Sequence, residues 1–126
     1  MPALSKTTPV VVDTSKSRHA AFNPISVADV NLKDGFWNPR RTMIQQVTLK
    51  EQHRLLEETG RMDNFRRAAG DESIPFRGIY FNDSDVYKWV EAAAWALACE
   101  NDAELSDMLE AVVDAIAPAQ QDDGYL

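Results

Sequence analysis

Seventeen residues, Gly78-Ile79-Tyr80-Phe81-Asn82-Asp83-Ser84-Asp85-Val86-Tyr87-Lys88-Trp89-Val90-Glu91-Ala92-Ala93-Ala94, hold the groups best suited to chemistry. A helix needs one cap and one apolar face. This stretch adds aromatic rings and paired carboxylates to that minimum. Sugar-binding clefts use both, because sugar C–H faces stack on rings while hydroxyls bond to carboxylates. Asp83 and Asp85 therefore suit hydroxyl binding. They equally suit a helix N-terminus, where a cap and negative charge are favourable. They do not suit the two reacting carboxyls of a glycosidase, which flank a bond ~5–9.5 Å apart. Tyr87 and Trp89 are candidate cleft walls. They lie two apart and face differently, so at most one lines a given cleft; Phe81 and Trp89 also read as core rings. Lys88 and Glu91 read as a solvated or ion-paired face.

A second polar cluster closes the chain. Gln120-Gln121-Asp122-Asp123-Gly124-Tyr125 reads as a turn, with Gln121, Asp123 and Tyr125 as further candidate contacts. Arg40 and Arg41 sit early in the first helix, where positive charge is mildly unfavourable, which hints at a carboxylate partner elsewhere. His19 and His53 have no neighbours that suggest a triad. The single cysteine, Cys99, sits in the apolar run Ala96-Leu97-Ala98 and reads as a buried small hydrophobe. One cysteine and two distant histidines give no zinc spacing. No phosphate loop, dinucleotide fingerprint or EF-hand is present.

The elements that position these groups are mostly helices. Residues 1–21 read as a flexible tail rich in Ser, Thr, Lys and Pro. Ile25, Val27, Val30 and Leu32 alternate and predict a short strand. Asn38-Pro39 predicts a helix start, with Asn38 as cap, running to about Thr59 and stopped by Gly60. Its apolar stripe (Met43, Ile44, Val47, Leu55, Leu56) is interrupted. Residues 60–82 read as a long connection with one helical turn near Asn64–Ala69. A helix then runs from Asp83 or Ser84 to about Glu100, burying Val86, Val90, Ala93, Ala94 and Leu97. Leu105, Met108, Leu109, Val112 and Ile116 form the cleanest stripe and predict an antiparallel partner, ended by Pro118. One such hairpin has the size of a unit in helical solenoids and toroids.

At 126 residues the chain holds one domain at most, and 44% hydrophobic content suits a folded one. A net charge of −7 and a pI near 4.7 argue against nucleic acid and anionic membrane surfaces. No apolar run reaches the ~18 residues of a membrane span, nor the length of a signal-peptide core, so a cytoplasmic location is expected.

Three blocks resemble one family in register. They are Asp34-Gly35-Phe36-Trp37-Asn38-Pro39-Arg40, the Gly78–Ala94 stretch, and Ala119-Gln120-Gln121-Asp122-Asp123-Gly124-Tyr125-Leu126. From about Val27 to Leu126 the chain resembles glycoside hydrolase family 127, the β-L-arabinofuranosidase family. The resemblance implies a mainly α fold in which antiparallel hairpins form part of an (α/α)6 toroid, with the short N-terminal strand joining a β-domain of later chain. Residues 22–126 would be the N-terminal portion of that catalytic domain, roughly a quarter of the ring. It further implies a terminal β-L-arabinofuranosyl or related carbohydrate as substrate. In the family a zinc-bound cysteine nucleophile and a glutamate acid/base lie far downstream of the third block. The chain is thus expected to lack catalytic residues and metal ligands of its own, to need no cofactor itself, and to self-associate through uncovered apolar faces. A non-catalytic helical module that binds carbohydrate or protein is the alternative, and another toroidal sugar enzyme a third reading.

Overall fold

The helices follow from where the chain places caps, glycines and apolar side chains. The computed structural model describes residues 12–126. Of the expected tail, residues 1–11 lie outside the described residues. Over residues 12–23 local bonds form turns: Ser15 N–H donates to Asp13 Oδ1 at 2.9 Å, and Ser17 N–H to Thr14 O at 3.0 Å.

The expected strand at Ile25–Leu32 is not formed. Val27–Asp29 is a single 3₁₀ turn, capped by Ser26, whose Oγ accepts the Ala28 N–H at 3.3 Å. Among the described residues no extended segment offers a ladder. An unpaired strand leaves its backbone groups unbonded, whereas Ser26 closes a turn at once.

The first helix starts two residues earlier than Pro39, and its cap is not Asn38. The Asp34 carboxylate accepts the N–H groups of Phe36, at 2.8 Å, and Trp37. The Trp37 N–H, foremost, holds that carboxyl below its usual pKa. Helix α1 spans Trp37–Met43, a π-helical turn spans Ile44–Thr48, and α2 spans Leu49–Glu58. The π turn shifts the register between α1 and α2. One extra residue rotates the following side chains by about 100° relative to a continuous α-helix. After the turn Leu49 and Leu56 face inward and Leu55 outward; within and before it Met43, Ile44 and Val47 are exposed, while Gln45 turns inward. Gln45 Nε2 donates to the Glu100 carbonyl at 3.2 Å, so this buried amide is paired.

Gly60 ends α2 in the left-handed region, as its position predicts, with φ 75°. A Cβ there would meet Arg77 Cδ at 2.6 Å. The connection that follows is more ordered than one helical turn: α3 spans Arg61–Ala68 and puts Met62 and Phe65 in the core. Arg66 ties α3 to α2 through a bidentate pair with Glu57 (both bonds 2.8 Å).

Helices α4 (Asp83–Cys99) and α5 (Ala103–Ile116) form the expected antiparallel hairpin. Asp102 Oδ1 caps α5 by accepting the Leu105 N–H at 3.1 Å. Val86, Trp89 and Ala93 from α4 meet Leu105 and Val112 from α5 in one core with Leu49, Leu56, Met62 and Phe65. Each such large side chain contributes about 1.5–3 kcal/mol when fully buried. Val90, Leu97, Met108, Leu109 and Ile116 pack around that centre half-buried. After Ile116 a 3₁₀ turn at Ala117–Ala119 accommodates Pro118 and ends the helix. No helix among the described residues is long and apolar enough to cross a membrane.

Candidate functional site

The antiparallel course of α4 and α5 returns residues 117–126 to the end of the hairpin where α4 begins. Tyr87 and the closing loop share one pocket there, of about 290 Å³, with Gln120 and Leu126 among its walls. The loop is a tight hairpin. Gln121 N–H donates to Tyr125 O at 2.8 Å, Gly124 N–H to Gln121 O at 2.8 Å, and Tyr125 N–H to Asp123 Oδ1 at 3.0 Å. Gly124 reaches φ 89°, which explains a glycine at that position. Gln121 and Asp123 are exposed, and with Asp122 they line a shallow polar recess of their own.

The first turns of α4 send their polar groups in different directions. Tyr87 leans edge-on against the Phe65 ring, centroids 5.6 Å apart. Partial burial, and then the negative charge of Asp83, push its phenol pKa up, with a smaller push from Tyr125. Asp85 instead faces Arg61 at 3.5 Å and Lys88 at 3.7 Å. It lines a separate pocket of about 560 Å³ with Gln52 and Thr59. Asp83 lines a third, beside α3 and the 70–76 stretch. Trp89 is a core residue, 3% exposed, and its indole N–H donates to the Leu49 carbonyl at 2.8 Å. Only its edge reaches the Asp85 pocket. The seven candidates therefore lie around one end of the hairpin but do not converge on a single point.

Several groups that shape this end carry no sequence signal. Arg61 pairs with Asp85 across 24 residues of chain. Asn64, buried, bonds to both backbone groups of Arg77: its Nδ2 donates to the carbonyl at 2.9 Å and its Oδ1 accepts the N–H at 3.0 Å. Nothing in the type or spacing of Asn64 distinguishes it from an exposed helical asparagine. Arg40 and Arg41 find no carboxylate within salt-bridge distance among the described residues. Arg40 lies over the Phe36 ring, 3.7 Å from its centroid, and donates to the Phe36 carbonyl at 2.7 Å. Arg41 donates to Asn38 Oδ1 at 3.2 Å.

The opposite flank is apolar. Trp37, Met43 and Ile44 face Ala92, Trp95, Ala96 and Cys99 across a groove of about 840 Å³. Cys99 is a half-buried free thiol in that wall. Zinc does not fit the described residues: nowhere do three His, Cys, Asp or Glu side chains gather.

Comparison with known proteins gives one family. The β-L-arabinofuranosidase GH127 catalytic domain matches residues 29–126. A curated relative, the non-reducing end β-L-arabinofuranosidase of Bifidobacterium longum, is 35% identical over 117 aligned residues. That alignment covers 78% of this chain and 18% of the relative, so the chain spans less than a fifth of the relative's length. With the capped Asp34–Arg40 helix start, the ordered α4 entry and the Gly124 hairpin all inside the matched range, the chain belongs to the β-L-arabinofuranosidase family of glycoside hydrolases, GH127.

Proposed function

We propose that residues 22–126 supply the first helices of an (α/α)6 toroidal catalytic domain that hydrolyses terminal β-L-arabinofuranosyl or related sugars. The observation that carries this reading is the GH127 match across residues 29–126. The structure adds a physical argument for further packing. The α4–α5 hairpin buries one face, while the groove between Trp37–Ile44 and Trp95–Cys99 stays open. Stacked hairpins bury their second faces on neighbours.

In this reading the segment binds and orients sugar, and the reacting groups come from elsewhere in the domain. Asp83, Tyr87, Gln121, Asp123 and Tyr125 are the sugar contacts. Asp85, held by Arg61 and Lys88, fixes the α4 entry as well as offering acceptors. Trp89 holds α4 against α2 through its indole N–H. The zinc that the family resemblance implies would be held by residues outside this segment.

The test is turnover of an aryl β-L-arabinofuranoside by the purified chain, with zinc and reductant present. The reading predicts none. Turnover abolished by Cys99→Ala would contradict it, since a helix-borne thiol without a metal cluster or a paired base is a poor nucleophile. The open apolar groove is also the one observation that favours a non-catalytic helical module. That module would bind a partner through the groove in isolation and never support turnover.

A further inference from the structure

A cavity of about 510 Å³ lies between α3, the 70–76 stretch and the start of α4. Its lining shares no residue with the Asp85 or Tyr87 pockets. Asn64 builds one wall, and its two bonds to Arg77 clamp the backbone directly after Phe76. Asn82 reinforces the clamp by donating to the same Arg77 carbonyl at 3.4 Å. Gly78 follows at φ 89°, and a Cβ there would stand 1.7 Å from Asn82 Nδ2, so the chain leaves the clamp in one direction. On the other side of Phe76, Arg67 Nη1 donates to the Ile74 carbonyl at 2.7 Å. Phe76 is thus held between two anchored backbone points, yet its side chain stays half exposed at the cavity.

The rest of the lining is mixed. Glu72 and Asp83 supply carboxylate acceptors, and Arg67 supplies the guanidinium donors not used on Ile74. A sugar presents that same mixture in reverse: an apolar C–H face for the ring, and hydroxyls that both donate and accept. Two carboxylates against one guanidinium leave the cavity net negative. An anionic sugar would meet like charge there, and a neutral one would not. We propose that this cavity is a subsite for a neutral sugar unit, stacked on Phe76, with Asp83 and Glu72 selecting against uronic acids. Asn64 is its positioning residue. The proposal rests on the carbohydrate reading above and gives it a location and a charge preference.

The full chain is titrated with L-arabinose, D-galactose and D-galacturonate while backbone amide resonances are followed. The last two differ in the charge at one carbon. Neutral sugars shift the amides of Arg77 and Asp83, and galacturonate shifts them less at equal concentration. Phe76→Ala, a half-exposed position whose loss leaves the core intact, weakens neutral-sugar binding by about tenfold or more. Tyr80→Ala, on a ring outside the cavity, changes nothing. Asp83→Asn narrows the gap between galactose and galacturonate. The proposal fails if neutral sugars leave these amides unmoved, if Phe76→Ala binds like the parent, or if galacturonate binds as well as galactose. Turnover assays separate the two ideas. Sugar binding here without turnover in the complete domain sinks the hydrolase reading alone, and turnover without binding here sinks this subsite alone.

Discussion

The α4–α5 seam and the Trp37–Thr48 segment both carry large apolar side chains, yet in the seam they are buried and in the segment they are not. In the seam, Leu105 and Val112 meet Val86 and Ala93, and all four are fully or almost fully inaccessible. In the segment, Trp37, Met43, Ile44 and Val47 are each about half exposed or more. The difference is supply of a partner. The hairpin brings its own second helix within four residues of chain, while the segment has only the edge of α4 across an open groove. A stripe of apolar residues thus tells where a helix can pack; a partner must still be in reach.

The largest effect should separate these two regions. Val112→Asp places an unpaired charge in the seam and is expected to cost about 3 kcal/mol or more. Val47→Asp, on the exposed segment, should stay within about 0.5 kcal/mol of the parent. Denaturant midpoints of the two variants measure both, and equal losses would dissolve the comparison.

A second substitution tests what joins the regions. Trp89→Phe keeps most of the ring but removes the donor to the Leu49 carbonyl, the bond between α4 and α2. The Leu49 carbonyl lies in the first turn of α2 and keeps its place in the helix ladder, so losing the indole bond should cost about 0.5–1.5 kcal/mol. A variant as stable as the parent would mean that the α2–α4 contact is held by its apolar side chains alone.

The smallest effect concerns the polar end. The Tyr87 phenol pKa is raised in the folded chain, so the neutral form is favoured there. Its stabilising contribution is fully present below the unfolded phenol pKa, near ~10, and is lost as pH rises through that value toward the folded one. Tyr87 is partly exposed, so solvent screens most of this. Tyr87→Phe should slightly flatten the alkaline limb of stability against pH. An unchanged limb would show that burial and Asp83 do not act on this phenol.

The seam was legible in the sequence because its period is local: Leu105, Met108, Leu109, Val112 and Ile116 announce their own helix face. Gly60 was legible too, because a left-handed stop needs that residue. The strand was misread because Ile25–Leu32 alternates without the ladder partner that decides a strand. The helix start was misplaced because Asp34 and Asn38 both suit capping, and only the backbone path selects Asp34. The π turn at Ile44–Thr48 has no signature in residue type. At the candidate site the sequence singled out polar and aromatic residues around one end. Trp89 read both as a cleft wall and as a core ring, and burial decides for the core; nothing in the sequence told that Asn64 and Arg61 reach across 13 and 24 residues to shape that end.

The proposed function makes the groove between Trp37–Ile44 and Trp95–Cys99 a face against which further hydrolase helices pack. Sedimentation velocity of the purified chain across a concentration series, with hydrophobic-dye fluorescence on the same samples, tests it most directly. Dye binding and concentration-dependent self-association are expected despite the net charge of −7, both reduced by Ile44→Asp in the groove wall. A compact, dye-silent monomer with a sharp thermal transition would contradict it.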